Sequence, residues 1–172
     1  MKNKILLIGM PGCGKTTISK MLGETTQLPV IDMDTYIEID AGQKIPELFN
    51  HGEEYFRNLE TKACEQLSKQ EQIIIASGGG VILNPLNMSY FYENSLIIFL
   101  NRPIEKIEED IDRSTRPLLQ SRKSALQELY AARYPLYTKY SHYTIDNSGD
   151  PFTTVSIIIN LIKFTKNSIN IK

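Results

Sequence analysis

The chain predicts an α/β domain built on a mainly parallel sheet, and three observations carry that expectation. Short apolar runs of strand character alternate with helical stretches along the whole sequence, as they do where helices cover a parallel sheet. The first of these runs leads directly into Gly9-Met10-Pro11-Gly12-Cys13-Gly14-Lys15-Thr16, which fits G-x-x-x-x-G-K-[ST] between a strand and a helix. A length of 172 residues with 41% hydrophobic content suits one ordinary domain with its own core.

Taken in order, Lys4-Ile5-Leu6-Leu7-Ile8 reads as a buried strand, and Ile18, Met21 and Leu22 recur at helical spacing after the glycine-rich loop. Leu28–Asp32 reads as a second strand, followed by short helical pieces at Thr35–Asp40, closed by Gly42, and Ile45–Phe49. Glu53–Lys69 is the clearest amphipathic helix, with Tyr55, Phe56, Leu59, Ala63 and Leu67 as its apolar stripe. Gln72–Ser77 is a third strand that runs into Gly78-Gly79-Gly80, and Ser95–Leu100 is a fourth. Pro103 opens a helix that runs to about Ile111, a position where proline is tolerated because the first turn needs no N–H partner. Asp112–Lys123 is polar and basic and reads as a mobile segment. Ser124–Tyr140 is helical, interrupted or kinked near Pro135, and Tyr143–Asp146 is a fifth strand. After the turn Asn147–Asp150, Pro151 opens a last helix with Phe152, Val155, Ile158, Ile159 and Ile162 on one face, and the tail beyond Phe164 is expected to fray.

Charge and composition exclude several functions. A net charge of -1 gives no general attraction to nucleic acid, and the nine tyrosines form no regular stacking array. Two distant cysteines, Cys13 and Cys64, suggest neither a disulfide framework nor a zinc site. No apolar run approaches the ~18–20 residues needed to cross a bilayer, and the chain begins on its first strand without a signal peptide. A monomer in a reducing cytoplasm, without nucleic-acid or membrane partners, is the expectation.

The chemistry gathers around the loop. Its glycines let successive N–H groups face phosphate oxygens, helped by the positive end of the following helix. Lys15 would reach the β- and γ-phosphates of ATP, and the Thr16 hydroxyl would bind Mg²⁺. Asp32 and Asp34 sit at the carboxyl end of the second strand, where open α/β sheets hold ligands. If the segment stays extended, both carboxylates point the same way, one for the metal and one for an acceptor hydroxyl. A helix N-cap is the competing reading. Gly78-Gly79-Gly80 would bring backbone close to a ligand at the same sheet edge. Arg57, Arg113, Arg116 and Arg133 are each, taken singly, more often surface charges, but around a phosphate site they suggest anionic ligands. His51 and His142 lack partners at metal or triad spacing, the Cys13 thiol is incidental to the loop, and Tyr137 and Tyr140 read as packing residues. The residues alone therefore reach an ATP-dependent phosphotransferase with a small, anionic acceptor.

In sequence order, the phosphate loop, Asp32-Met33-Asp34, Ile37-Glu38, Gly42–Phe49, Gly52-Glu53-Glu54, Phe56-Arg57, the glycine triplet, Arg116-Pro117-Leu118-Leu119 and Arg133-Tyr134-Pro135-Leu136-Tyr137 resemble the shikimate kinase family, across about residues 3 to 163. The resemblance implies a three-layer α/β/α P-loop NTPase fold, related to nucleoside monophosphate kinases, with a five-stranded parallel sheet in order 2-3-1-4-5. It implies one kinase domain over 1–172, with a substrate-binding region at about 33–60 and a closing lid at about 112–123. The implied reaction moves the ATP γ-phosphate to the 3-hydroxyl of shikimate, on the route to chorismate and aromatic amino acids.

By the same resemblance, Gly12, Cys13, Gly14, Lys15, Thr16 and Thr17 take the nucleotide phosphates. Thr16 and Asp32 hold Mg²⁺. Asp34 orients or deprotonates the attacking hydroxyl, while Arg57 and Arg133 hold the shikimate carboxylate beside Gly78, Gly79 and Gly80. Arg116 acts from the lid on the transferring phosphate, and Arg113 and the loop Asn147 to Pro151, Pro151 included, flank the adenine. The lid between Ile111 and Arg116 is shorter and poorer in glycine than in many relatives, and Ser77 precedes the triplet. Gluconate kinase is the near rival, since gluconate also carries a carboxylate; a nucleoside monophosphate kinase would not need Asp34 in this role. A silent nucleotide-binding module is the rival from another class, and intact Lys15, Thr16, Asp32 and Asp34 argue against it.

Overall fold

In the computed structural model, residues 4–110 and 125–167 are described. Five strands, β1 (Lys4–Ile8), β2 (Val30–Asp32), β3 (Ile74–Ala76), β4 (Ser95–Asn101) and β5 (Tyr143–Asp146), form one sheet in the order β2-β3-β1-β4-β5. Every neighbouring pair is parallel. The central strand sets the register, with Ile5 opposite Ile74 on one side and Leu96 on the other. Leu6, Leu7, Ile8, Ile74, Ile75, Ile97, Ile98 and Phe99 are fully buried, as expected of strands covered on both faces.

The helices are α1 (Lys15–Thr26), α2 (Met33–Ala41), α3 (Ile45–Asn50), α4 (Glu53–Ser68), α5 (Pro85–Tyr92), α6 (Ile104–Asp110), α7 (Ala125–Tyr140) and α8 (Pro151–Asn167). Because all strands run the same way, the loops after β1, β2 and β3 emerge at one edge, and the chemistry-bearing residues are collected there.

Several elements differ from the sequence expectation. Helix α2 starts at Met33, not Thr35, because the Asp32 side chain accepts the Thr35 N–H and caps the helix. The segment is therefore not extended through Asp34, and strand alternation does not explain where Asp34 points. On α4 the buried stripe is Phe56, Glu60, Ala63, Cys64 and Leu67, whereas Tyr55 is exposed and lies 5.1 Å from the His51 ring. Residues 81–92 hold a short 3₁₀ turn (Val81–Leu83) and α5, which the sequence reading left unassigned. Their signal is Asn84-Pro85: the Asn84 side chain accepts the Leu86 N–H at 3.0 Å, and Pro85 opens the first turn.

Helix α7 runs through Pro135 without interruption. Phe152 is 71% exposed and lies off the buried face of α8, which Val155 and Ile158 form. The imidazole of His142 has a structural part: its Nδ1 accepts the Ile97 N–H at 3.0 Å, while the His142 backbone N–H donates to the Ile97 carbonyl at 2.8 Å. Among the described residues no helix is long and apolar enough to cross a membrane.

Candidate active site

The donor half of the site is made almost entirely of backbone. After β1 the chain turns through Gly9 to Gly14, and Gly14 adopts φ +97° immediately before α1 begins at Lys15. A side chain would be strained there, so the glycine lets the helix N-terminus open onto the loop. Lys15 is buried, and its ammonium donates to the Gly9 carbonyl at 2.8 Å and the Met10 carbonyl at 2.9 Å, with the Cys13 sulfur at 3.7 Å. The Thr16 hydroxyl donates to Asp32 Oδ2 at 2.8 Å, while Oδ1 of the same carboxylate caps α2. Asp32 thus acts as the helix N-cap, one of its two sequence readings, and its other carboxylate oxygen faces the Thr16 hydroxyl.

A cavity of about 230 Å³ opens above the loop, lined by Gly12, Gly14, Lys15, Thr16, Thr17, Asp32, Asp34, Ser77 and Gly79. Hydroxyl and carboxylate oxygens at Thr16 and Asp32 are the hard donors that suit Mg²⁺. Ser77 is held by its own hydroxyl, which donates to the Leu7 carbonyl at 2.9 Å.

The acceptor half is made of side chains from distant elements. Each glycine after β3 leaves room for a different neighbour. A Cβ on Gly78 would stand 2.8 Å from an Asp34 oxygen and 3.0 Å from a Glu60 oxygen. One on Gly79 would stand 2.8 Å from the Pro11 ring, and one on Gly80 would stand 2.2 Å from an Arg57 guanidinium nitrogen. Close approach is their common requirement here, since Gly80 itself has φ -96°.

Arg57 Nη1 donates to Glu60 Oε2 at 2.9 Å, and its Nη2 and Nε reach Glu53 Oε1 at 3.0 and 3.3 Å. Burial opposes the Arg57 charge, but Glu60 and Glu53 outweigh it and raise its pKa above the ordinary value. Burial raises the Glu60 carboxyl, and nearby Asp34 adds to this, while Arg57 and Arg133 pull the other way. Arg133 is buried on α7, and one turn later Tyr137 donates its hydroxyl to the Gly79 carbonyl at 2.6 Å. The Tyr137 ring stacks on Phe99 at 5.0 Å, and burial pushes its hydroxyl pKa up.

Among the sequence candidates, the fold brings Gly12, Gly14, Lys15, Thr16, Thr17, Asp32, Asp34 and Gly79 to one cavity, with Gly78, Gly80 and Arg57 packed against its acceptor side. The Cys13 side chain is buried beside Lys15. Pro151 opens α8 and is not part of the cavity lining. Arg113, Arg116 and the segment 112–123 lie outside the described residues. Sequence reasoning missed Glu60, whose signal was its place three residues after Arg57 on the buried face of α4. It also took Tyr137 for packing alone.

A parallel sheet in this order, with a glycine-rich phosphate loop after β1 and a carboxylate–arginine cluster facing it, defines a P-loop kinase of small molecules. The family model for shikimate kinase matches residues 11–163. A shikimate kinase from Clostridium botulinum is 45% identical over 163 residues, covering 95% of this chain and 96% of that protein. The chain belongs to the shikimate kinase family. A solved shikimate kinase from Acinetobacter baumannii in complex with shikimate superposes with a TM-score of 0.88 at 32% identity, covering 99% of this chain and 96% of that one. A gluconokinase from Sinorhizobium meliloti shares the fold at a TM-score of 0.60 and 13% identity, covering 98% of this chain and 96% of that one.

Proposed function

We propose that this cleft transfers the γ-phosphate of ATP to the 3-hydroxyl of shikimate, giving shikimate 3-phosphate and ADP. The observation that carries the reading is the sharing of one cavity by Lys15, Thr16 and Asp34, with Asp34 backed by the Glu60–Arg57 pair across Gly78. A small acid with several hydroxyls needs a fixed positive clamp and a carboxylate that accepts a hydroxyl proton. Arg57 and Arg133 form the clamp, and Asp34 is the acceptor of the proton.

In this reading the backbone of Gly12, Cys13, Gly14 and Thr17 cradles the phosphates, and Lys15 binds the β- and γ-phosphates. Of its three contacts the Cys13 sulfur at 3.7 Å is the weakest, so a phosphate oxygen replaces that one while both carbonyl bonds stay. Thr16 and Asp32 would hold Mg²⁺, which neutralises charge on the phosphate oxygens. As the 3-hydroxyl oxygen bonds to the γ-phosphorus, the bond to the β,γ-bridging oxygen breaks and the hydroxyl proton passes to Asp34. The N–H groups of Gly78, Gly79 and Gly80 support the acceptor. The reading keeps Arg116 and Arg113 on a lid at 112–123 and Pro151 beside the adenine. It also keeps a substrate region at 33–60 within one domain, and a monomer in the cytoplasm without nucleic-acid or membrane partners.

The test is an acceptor panel. ADP release from Mg·ATP should be rapid with shikimate, remain near background with gluconate or AMP, and stop when the metal is chelated. Equal rates with gluconate would overturn the assignment of shikimate.

A further inference from the structure

The turn between β5 and α8 reaches across the molecule to the phosphate loop. Asn147 begins that turn, is 3% exposed, and is held from several sides. Its backbone N–H donates to the Asn101 carbonyl at 2.8 Å, and its carbonyl accepts Arg102 Nη1 at 3.3 Å. Its side-chain Oδ1 accepts the Thr154 hydroxyl at 2.8 Å. That bond leaves the amide nitrogen facing one partner 134 residues away in sequence, the Cys13 carbonyl, at 2.7 Å.

This contact has a directional consequence. A trans peptide is planar, with its C=O and N–H on opposite sides. Drawing the Cys13 oxygen toward Asn147 therefore turns the Gly14 N–H the other way. Gly14 lines the phosphate cavity, and a Cβ on it would lie 2.7 Å from Asn147 Nδ2. Glycine thus admits the asparagine on one side of the loop while its N–H points away from that side.

We infer that Asn147 is a positioning residue for nucleotide phosphate: by holding the Cys13–Gly14 peptide plane it aims the Gly14 N–H at the donor. The inference rests on the proposed use of ATP. It assigns the β5–α8 turn a part in phosphate binding that is independent of any contact with the base.

Asn147→Asp keeps the shape and replaces the donating nitrogen with an oxygen, which repels the Cys13 carbonyl. A misaimed hydrogen bond to a charged phosphate should weaken Mg·ADP binding by about tenfold or more, read by calorimetry, with KM for ATP rising in parallel. Shikimate binding without nucleotide should stay within twofold of the parent. ADP affinity within twofold in folded Asn147→Asp would overturn the positioning role, as would an equal loss for shikimate, the mark of a merely structural contact. Should Asn147→Asp not fold, Thr154→Val removes the anchor on Oδ1 and should weaken ADP in the same direction by roughly threefold. Unchanged ADP affinity in that variant overturns the role equally. A parent chain that bound no ADP would overturn the ATP reading as well, which separates the two failures.

Discussion

The donor and acceptor halves of the cleft are built on opposite principles. The donor half is nearly contiguous, residues 9–17 with Asp32, and its working groups are backbone amides around one buried lysine. The acceptor half draws Asp34 from α2, Glu60 and Arg57 from α4, three glycines from the turn after β3, and Arg133 with Tyr137 from α7. In the donor half the proposed phosphate contacts come mainly from the backbone path, with Lys15, Thr16 and Asp32 as its working side chains. In the proposed acceptor half the charged side-chain tips hold one another in place. Conservative substitutions should therefore be damaging in the acceptor half in proportion to how many of those tips they release.

The largest break should come from Asp34→Asn, which keeps shape and neighbours but removes the proposed proton acceptor. Turnover should fall by roughly 10²-fold or more with ATP affinity intact, measured by steady-state kinetics and nucleotide titration. Retained turnover would show that another group takes the hydroxyl proton.

Arg57→Lys comes next. Lysine cannot span Glu60 and Glu53 while presenting a planar fork to a carboxylate. KM for shikimate should rise by about tenfold while KM for ATP stays within twofold. An unchanged shikimate KM would remove Arg57 from the clamp.

The smallest effect sharpens the comparison. Glu60→Gln keeps a hydrogen-bond acceptor for Arg57 but cancels the charge, so the shikimate KM should rise only severalfold, with no change on the donor side. Glu60 also predicts a pH dependence. Its carboxyl pKa is raised in the folded chain, chiefly by burial, so the folded state holds this proton more tightly than the unfolded one. Below the ordinary value of 4.5 both states are protonated. As pH climbs above it, the unfolded chain loses the proton first, and stability falls until the raised folded value is passed. The stability of the parent relative to Glu60→Gln should therefore decline as pH rises from about 4.5, followed by urea denaturation. A flat difference would mean that Arg57 and Arg133 cancel the burial of Glu60.

The same contrast explains what could be read from the chain. The phosphate loop was legible because its function is a backbone shape, and that shape needs glycines and a lysine at fixed spacing. The strands were legible as apolar runs, although their order came through the family resemblance rather than from the runs themselves. Asp34, Arg57 and Arg133 were also picked out, but the contacts that hold them in place were not. Glu60 was overlooked because a glutamate on an amphipathic helix is ordinarily solvated, and only an arginine one turn earlier lets it sit among Phe56, Ala63 and Leu67. The Tyr137–Gly79 contact spans 58 residues and the Asn147–Cys13 contact 134, distances over which no periodicity in the chain carries information. The α2 boundary shows the local version of this limit. Asp32 ends a strand and caps a helix at once, so the assumption of an extended segment gave the right cleft for Asp34 by the wrong route.

One contact joins the two halves directly. Gly79, whose carbonyl Tyr137 holds, lies so close to Pro11 of the phosphate loop that an added Cβ would stand 2.8 Å from the ring. Donor and acceptor supports therefore rest against each other like the faces of a closed gauge. In-line transfer tolerates little slack, since a displacement of about 1 Å in such a site can cost about a hundredfold in rate. A methyl at position 79 would act as a shim, widening the gap while leaving the chemical groups of both halves unchanged. The fit between these two supports thus rests on position 79 carrying a hydrogen where other residues carry a carbon.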